Sequence, residues 1–148
     1  MFATGVTVVT SAGQAGPCGV TANSFSSVSL VPPLVLVCLH GRSGAAAVIA
    51  RNQAFVVNVL SWEQEALAQR FASSGRLRGD RSFAGVATRA EATGSPIFAG
   101  VACWLDCALA AMLAAGDHLV VIGEVLDYEA RLRARAARFP RWAVPRRS

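Results

Sequence analysis

Short apolar runs rich in β-branched residues recur along this chain, broken by Gly, Pro and Asp at close intervals. Thr4-Gly5-Val6-Thr7-Val8-Val9-Thr10 predicts a strand, the Gly-containing stretch 11–16 a turn, and 17–22 its hairpin partner. Residues 34–40 are apolar at odd and even positions alike, the pattern of a strand buried on both faces. Gly41-Arg42-Ser43-Gly44 predicts a turn and residues 45–51 a short helix of strong formers. Residues 54–60 predict a further strand with Phe55, Val57 and Val59 on one face. A second helix begins at Ser61, where Ser61 and Gln64 have capping-box spacing; Leu67 and Phe71 share a face and Gly75 supplies the stop. Residues 76–95 are polar and Gly-rich, with arginines at 76, 78 and 81. Three strands follow at 97–107, 108–115 and 118–127, the last two joined by Ala115-Gly116-Asp117. Seven or so short strands with two short helices predict a mostly β fold, a small β-barrel.

Composition sharpens this picture in two ways. The chain has 148 residues, 53% of them hydrophobic, and a mean hydropathy of +0.43, enough for one domain with a real core. No apolar run reaches the ~18 residues of a membrane-spanning helix, and the start shows no secretory signal. With cysteines at 18, 38, 103 and 107 in no Cys-x-x-Cys pair, neither a zinc site nor a disulfide framework is expected, and the cytoplasm is the expected compartment. The net charge of +5 is unevenly placed. Residues 1–130 hold seven arginines against nine acids, a balance of −2, while 131–148 hold seven arginines and no acid. The domain therefore spans 1–130, followed by an Arg/Ala-rich tail at 131–148. No nucleic-acid partner is expected, because the basic residues sit in that tail with few interleaved aromatics, Phe139 and Trp142.

Candidate chemistry concentrates in residues 19–39. Thr21, Ser24, Ser26, Ser27 and Ser29 carry hydroxyls, Asn23 adds an amide, and Pro32-Pro33 stiffens the exit. Such a segment suits a flat, polar, phosphate-bearing ligand, although a Ser-rich surface loop has the same composition. Gly-x-Gly-x-x-Gly, Walker and Gly-x-Ser-x-Gly motifs are all absent from the sequence. Few acid–base or nucleophilic clusters are on offer, which suits a protein whose cofactor carries the chemistry.

Taken in order, Phe2-Ala3-Thr4-Gly5-Val6-Thr7-Val8-Val9-Thr10, Gly19-Val20-Thr21-Ala22-Asn23-Ser24-Phe25-Ser26-Ser27-Val28-Ser29, Pro32-Pro33, Arg42-Ser43, Phe55-Val56-Val57-Asn58-Val59-Leu60, Gln69-Arg70-Phe71-Ala72, Trp104-Leu105-Asp106-Cys107 and Gly116-Asp117-His118 span most of residues 2–127. In that combination the sequence resembles the short-chain flavin reductases, the reductase component of two-component flavin-dependent monooxygenases. The resemblance implies a split β-barrel that pairs into a homodimer and binds FMN or FAD near the subunit interface. It implies that Thr21, Ala22, Asn23, Ser24 and Ser27 line the ring and ribityl chain. Cys38, Leu39 and His40 would end the strand beneath the flavin, with Ser43 after it, and Arg70, Phe71 and Ala72 would hold the phosphate. Asp117 and His118 would take NADH or NADPH. Hydride would then pass directly between the two cofactors without a catalytic side chain or metal, and reduced flavin would diffuse to a partner monooxygenase, with no membrane involved.

Read without that resemblance, Arg70 is also a solvated helix residue, Gly116-Asp117 a plain hairpin turn and His40 a polar strand end. The sequence departs from the family pattern where residues 131–148 keep only Ala137-Arg138-Phe139 of the usual Gly-Arg-aromatic ending, and where the chain opens at Phe-Ala-Thr-Gly rather than on a helix. Two alternatives stand beside the reductase: a flavoprotein oxidoreductase retaining its FMN, and a non-enzymatic flavin-binding or electron-carrier barrel.

Overall fold

The computed structural model describes residues 5–22, 24–72 and 79–131. Its strands are β1 (Thr7–Ser11), β2 (Cys18–Ala22), β3 (Phe25–Leu30), β4 (Pro33–His40), β5 (Ala54–Val59), β6 (Thr88–Arg89), β7 (Ile97–Phe98), β8 (Cys103–Ala115) and β9 (His118–Ala130). Helix α1 (Gly44–Asn52) follows β4, and α2 (Glu65–Ala72) follows β5 through a short 3₁₀ turn at Trp62–Gln64. Seven strands form one antiparallel sheet in the order β2-β1-β5-β8-β9-β4-β3, and β6 and β7 pair separately.

That order dictates the shape. β2 and β3 are the two edges of the sheet, yet they are consecutive in the chain. Three peptide links from Ala22 to Phe25 reach at most about 11 Å. In a flat seven-stranded sheet, six steps of about 4.8 Å would hold the edges roughly 29 Å apart. The sheet must therefore curl until its edges meet, giving a β-barrel split along the β2/β3 seam.

The β-branched alternation explains the core. Val9, Val35, Val37, Phe55, Val57, Leu105, Cys107 and Val121 fill the barrel interior. On the opposite face of β1 and β5, Val8 and Val56 join Phe71, Ile97, Phe98 and Trp104 in a second cluster with α2. β1 and β5 are thus covered on both sides. Gly123 is needed where β9 crosses Phe55: a Cβ there would stand 2.5 Å from the Phe55 ring and 2.8 Å from Cys107 Cβ. Gly123→Ala is expected to cost about 1–3 kcal/mol through overpacking. Chemical denaturation measures it, and Phe55→Leu in the same chain should return part of the loss.

Three expectations need correction, and one stretch holds elements that the pattern did not predict. The hydroxyl-rich segment is not a loop throughout, because Phe25–Leu30 is a strand paired with β4. Residues 97–107 and 108–115 are not two strands. Ile97–Phe98 belongs to the small β6–β7 ribbon, and Cys103–Ala115 is one 13-residue strand bent by register shifts at Asp106/Cys107 and Leu109/Ala111. Bulges of this kind bend a strand without ending it. The polar 76–95 stretch contains a 3₁₀ turn at Gly79–Phe83 and β6. β4 is buried on one face only, since Leu34, Leu36 and Cys38 remain half-exposed. The Ser61–Gln64 box forms as expected, with Ser61 N–H donating to Gln64 Oε1 at 3.0 Å. Gly75 and the 132–148 tail lie outside the described residues, and no helix within those residues is long and apolar enough to cross a membrane.

Candidate functional site

The end of β4 and the β8–β9 turn meet through the sheet register, which sets His40 directly opposite His118. Their ring centroids are 5.5 Å apart and the planes cross at 64°. Gly116, at φ 61°, supplies the positive φ that this tight turn requires. The turn is laced to the one after β4, because Gly41 N–H donates to the Asp117 carbonyl at 2.8 Å. Asp117 Oδ1 lies 2.7 Å from His118 Nδ1. A carboxylate only accepts, so the proton of that bond belongs to Nδ1 of His118. The same bond, and after it the charge of His118, hold the exposed Asp117 carboxyl below its usual range. The contact therefore persists as long as Asp117 is ionised and weakens only when acid protonates it.

A seam of short polar bonds leads away from this pair. Ser24 Oγ donates to the Cys38 carbonyl at 3.1 Å and also accepts from Cys38 N–H at 3.2 Å. Ser43 N–H donates to the His40 carbonyl at 2.8 Å. The Ser43 hydroxyl is buried, and no partner for it is found among the described residues. A buried hydroxyl left without a bond costs about 1–3 kcal/mol. Its place at the start of α1, just after the His40 turn, suits a polar ligand whose oxygen completes the bond. Ser24, Cys38, His40 and Ser43 are thus brought together by backbone geometry.

Other expected residues sit differently. Thr21 Oγ1 donates to the Ala68 carbonyl at 2.6 Å, tying β2 to α2. Ala22 and Leu39 turn their side chains into the barrel core, and Phe71 is fully buried against Phe83 and Phe98. These three can meet a ligand only through backbone atoms. Ser27 is paired with Val35 and therefore shares the inward face of β3 with Phe25, opposite to the face carrying Cys38 and His40. Ala72 is exposed at the end of α2. Asn23 and the arginines at 76 and 78 lie outside the described residues. Arg70 is neither simply solvated nor idle: its Nη2 donates to the Arg81 carbonyl at 3.3 Å and to the Ala84 carbonyl at 2.9 Å, clamping the 79–84 segment onto α2. Those bonds use one nitrogen of a group with five N–H donors.

Two supporting features were not assigned a role from sequence. Asp106, fully buried, accepts from Thr93 N–H at 3.0 Å and from the Thr93 hydroxyl at 2.5 Å, so it fixes the loop before β7. Asn58, also fully buried, donates to the Val8 carbonyl and Thr10 hydroxyl, both at 3.1 Å, and accepts from Phe98 N–H at 2.9 Å. The only local signal for either is a polar residue inside an apolar run.

Thiol chemistry finds little support. Burial, then the charge of Glu129, pushes Cys103 up to about 11, and burial with Asp106 pushes Cys107 higher still. A thiol that stays protonated is a poor nucleophile. Among the described residues no group of three His, Cys, Asp or Glu side chains could hold a metal ion. A separate cleft of about 330 Å³ between the β1–β2 turn and α1, lined by Gln14, Val48, Arg51 and Asn52 among others, contains none of the residues discussed above.

Comparison with known proteins gives this arrangement a context. Residues 1–141 match the family model described as flavin reductase like domain. The chain is 47% identical over 129 residues to a protein of Rhizobium meliloti (strain 1021) named probable flavin reductase, covering 86% of this chain and 40% of that one. It is 40% identical over 125 residues to the FMN reductase (NADH) SmoA of Agrobacterium fabrum (strain C58), covering 84% and 69%. Among solved structures, the Streptomyces globisporus NADH:FAD oxidoreductase SgcE6, in complex with NAD and FAD fragments, superposes with a TM-score of 0.82 at 36% identity, covering 95% of this chain and 87% of that one. The chain spans well under half the length of the Rhizobium relative. On a match that runs through nearly the whole described barrel, the chain belongs to the flavin reductase-like family.

Proposed function

We propose that this chain is an NAD(P)H:flavin oxidoreductase that takes FMN or FAD as its flavin and passes reduced flavin to a partner monooxygenase. The observation that carries this proposal is the juxtaposition at the end of β4: an orphaned buried hydroxyl and a seam of small polar groups adjoin a histidine pair held by a carboxylate. The residues fit a flavin. Ser24, Cys38 and Ser43 would meet it directly, backbone atoms of Ala22, Leu39 and Phe71 would supplement them, and Arg70 would face the phosphate. Thr21, whose hydroxyl is committed to the Ala68 carbonyl, and Ser27, on the inward face of β3, would contribute main-chain atoms at the β2/β3 seam.

The bound flavin supplies an electrophilic ring nitrogen that accepts hydride. The protein's own task is positioning. Two planar rings must be held at roughly 3–3.5 Å, and no side-chain base is needed for that. His118, with its orientation fixed by Asp117, would hold the nicotinamide end of NADH or NADPH. Members of the family named above act on NADH with FMN or FAD, which supports the same pairing here. A second copy of the chain is the proposed partner in assembly. The outer face of β4, β9 and β8 leaves Leu36, Ile122 and Leu113 partly or largely exposed beside His118, an apolar strip that a homodimer would cover.

The test is a reduced-nicotinamide absorbance assay with each flavin and each nicotinamide, on protein of measured oligomeric state. Oxidation of NADH or NADPH that depends on added flavin is the expected result. Flavin binding by folded protein without nicotinamide oxidation would leave a flavin carrier instead, and tightly retained yellow colour on purification would point to a flavoprotein that keeps its FMN.

A further inference from the structure

His40 and His118 face each other with opposite hydrogen-bond polarity. His40 Nδ1 accepts from Arg42 N–H at 3.2 Å, so in the neutral ring the proton sits on Nε2. His118 gives its Nδ1 proton to Asp117, so in the neutral ring Nε2 carries a lone pair. One ring therefore offers a donor and the other an acceptor. The rings are tilted edge to face, not stacked, and both are exposed at the same end of the sheet. A carboxylate presents acceptors only and would leave His118 unmatched; an ammonium or guanidinium presents donors only and would leave His40 unmatched. A planar amide presents one of each, side by side.

We propose that His40 and His118 together read the carboxamide of the nicotinamide ring, His40 Nε2–H donating to the amide carbonyl and His118 Nε2 accepting from the amide nitrogen. His40 is thereby a specificity-determining residue of the nicotinamide pocket instead of a flavin contact. This rests on the assignment of Asp117 and His118 to the nicotinamide in the proposed function. The flavin's own pyrimidine edge carries the same C=O and N–H chemistry, so the experiment must separate the two sources.

The flavin-loaded full chain is titrated with NAD⁺ and with 3-acetylpyridine adenine dinucleotide, which keeps the carbonyl and replaces the amide nitrogen by a methyl group. Neither oxidised compound turns over, and binding is read by calorimetry or fluorescence quenching. Loss of one neutral hydrogen bond should cost the analogue roughly ten-fold in Kd. His118→Phe, which removes both ring nitrogens, should bring the two ligands to equal affinity. His40→Phe should weaken both ligands together and preserve their ratio, because both retain the carbonyl. FMN affinity should stay unchanged in both variants, and thermal melting of each checks that these exposed substitutions leave the fold intact. A wild-type ratio near one, or a ratio that survives His118→Phe, overturns the proposal while leaving the nicotinamide pocket in place. Loss of FMN affinity in both variants with an unchanged nicotinamide ratio reassigns the pair to the flavin edge and also overturns it. If His118→Phe leaves the affinity for NAD⁺ at the wild-type value, the assignment of the pocket itself fails.

Discussion

Asn58→Leu lowers the thermal midpoint by roughly 10 °C, the value expected for a loss of about 3–4 kcal/mol in a domain of this size. Leucine fills nearly the same volume, so the loss is one of hydrogen bonds and not of packing. Phe98 N–H is left buried without its acceptor, and the Val8 carbonyl and Thr10 hydroxyl each lose a donor. Thr10 still donates to the Pro96 carbonyl at 2.5 Å, which keeps the β1 side of the network partly satisfied and caps the cost. Against a typical stability of about 5–15 kcal/mol this is a large fraction. Differential scanning calorimetry measures it, and amide exchange at Phe98 should accelerate in step. A midpoint within about 2 °C of wild type would mean that these bonds do not anchor β7 to the barrel, since even 1 kcal/mol should move it further.

Arg70→Ala separates two roles for one guanidinium. As a phosphate ligand, Arg70 would contribute a charge-assisted bond worth about 1.5–3 kcal/mol, so FMN should bind roughly ten- to hundred-fold more weakly. Riboflavin has the same ring and no phosphate, and its affinity should change by less than about two-fold. Were Arg70 only the clamp seen on the Arg81 and Ala84 carbonyls, both flavins would weaken together, or neither would. Titration of the two flavins into wild type and variant, followed by tryptophan or flavin fluorescence, decides between them. Arg70→Lys adds a check: a point charge can pair with phosphate yet cannot hold two carbonyls with a planar fork.

Much of the barrel was legible in the chain because strand patterning is local. The β-branched runs at 4–10 and 54–60, the capping box at Ser61 and the Gly116 turn each announce themselves within a few residues, and each forms close to its expected place. What could not be read was pairing. β3 is hidden within the hydroxyl-rich segment because serine has little strand preference, and only its ladder with β4 makes it a strand. Cys103–Ala115 looked like two strands because its bulges leave polar and apolar positions out of step. The site shows the same division. Hydroxyls, histidines and Arg70 stand out by type, but the apposition of His40 and His118 exists only through the β4–β9 register. Similarly, no residue type says whether Leu39 faces a ligand or the core; alternation along β4 settles that it faces the core.

The barrel's closure by covalent connection at residues 22–25, instead of by a seventh ladder, leaves the outer rims of β2 and β3 with main-chain amides and carbonyls that no neighbouring strand among the described residues occupies. A rim of that kind can recognise a heteroaromatic edge through peptide groups alone. Affinity drawn from peptide groups survives changes of side chain, so a scaffold built this way can drift in sequence along its cleft and still grip the same planar molecule.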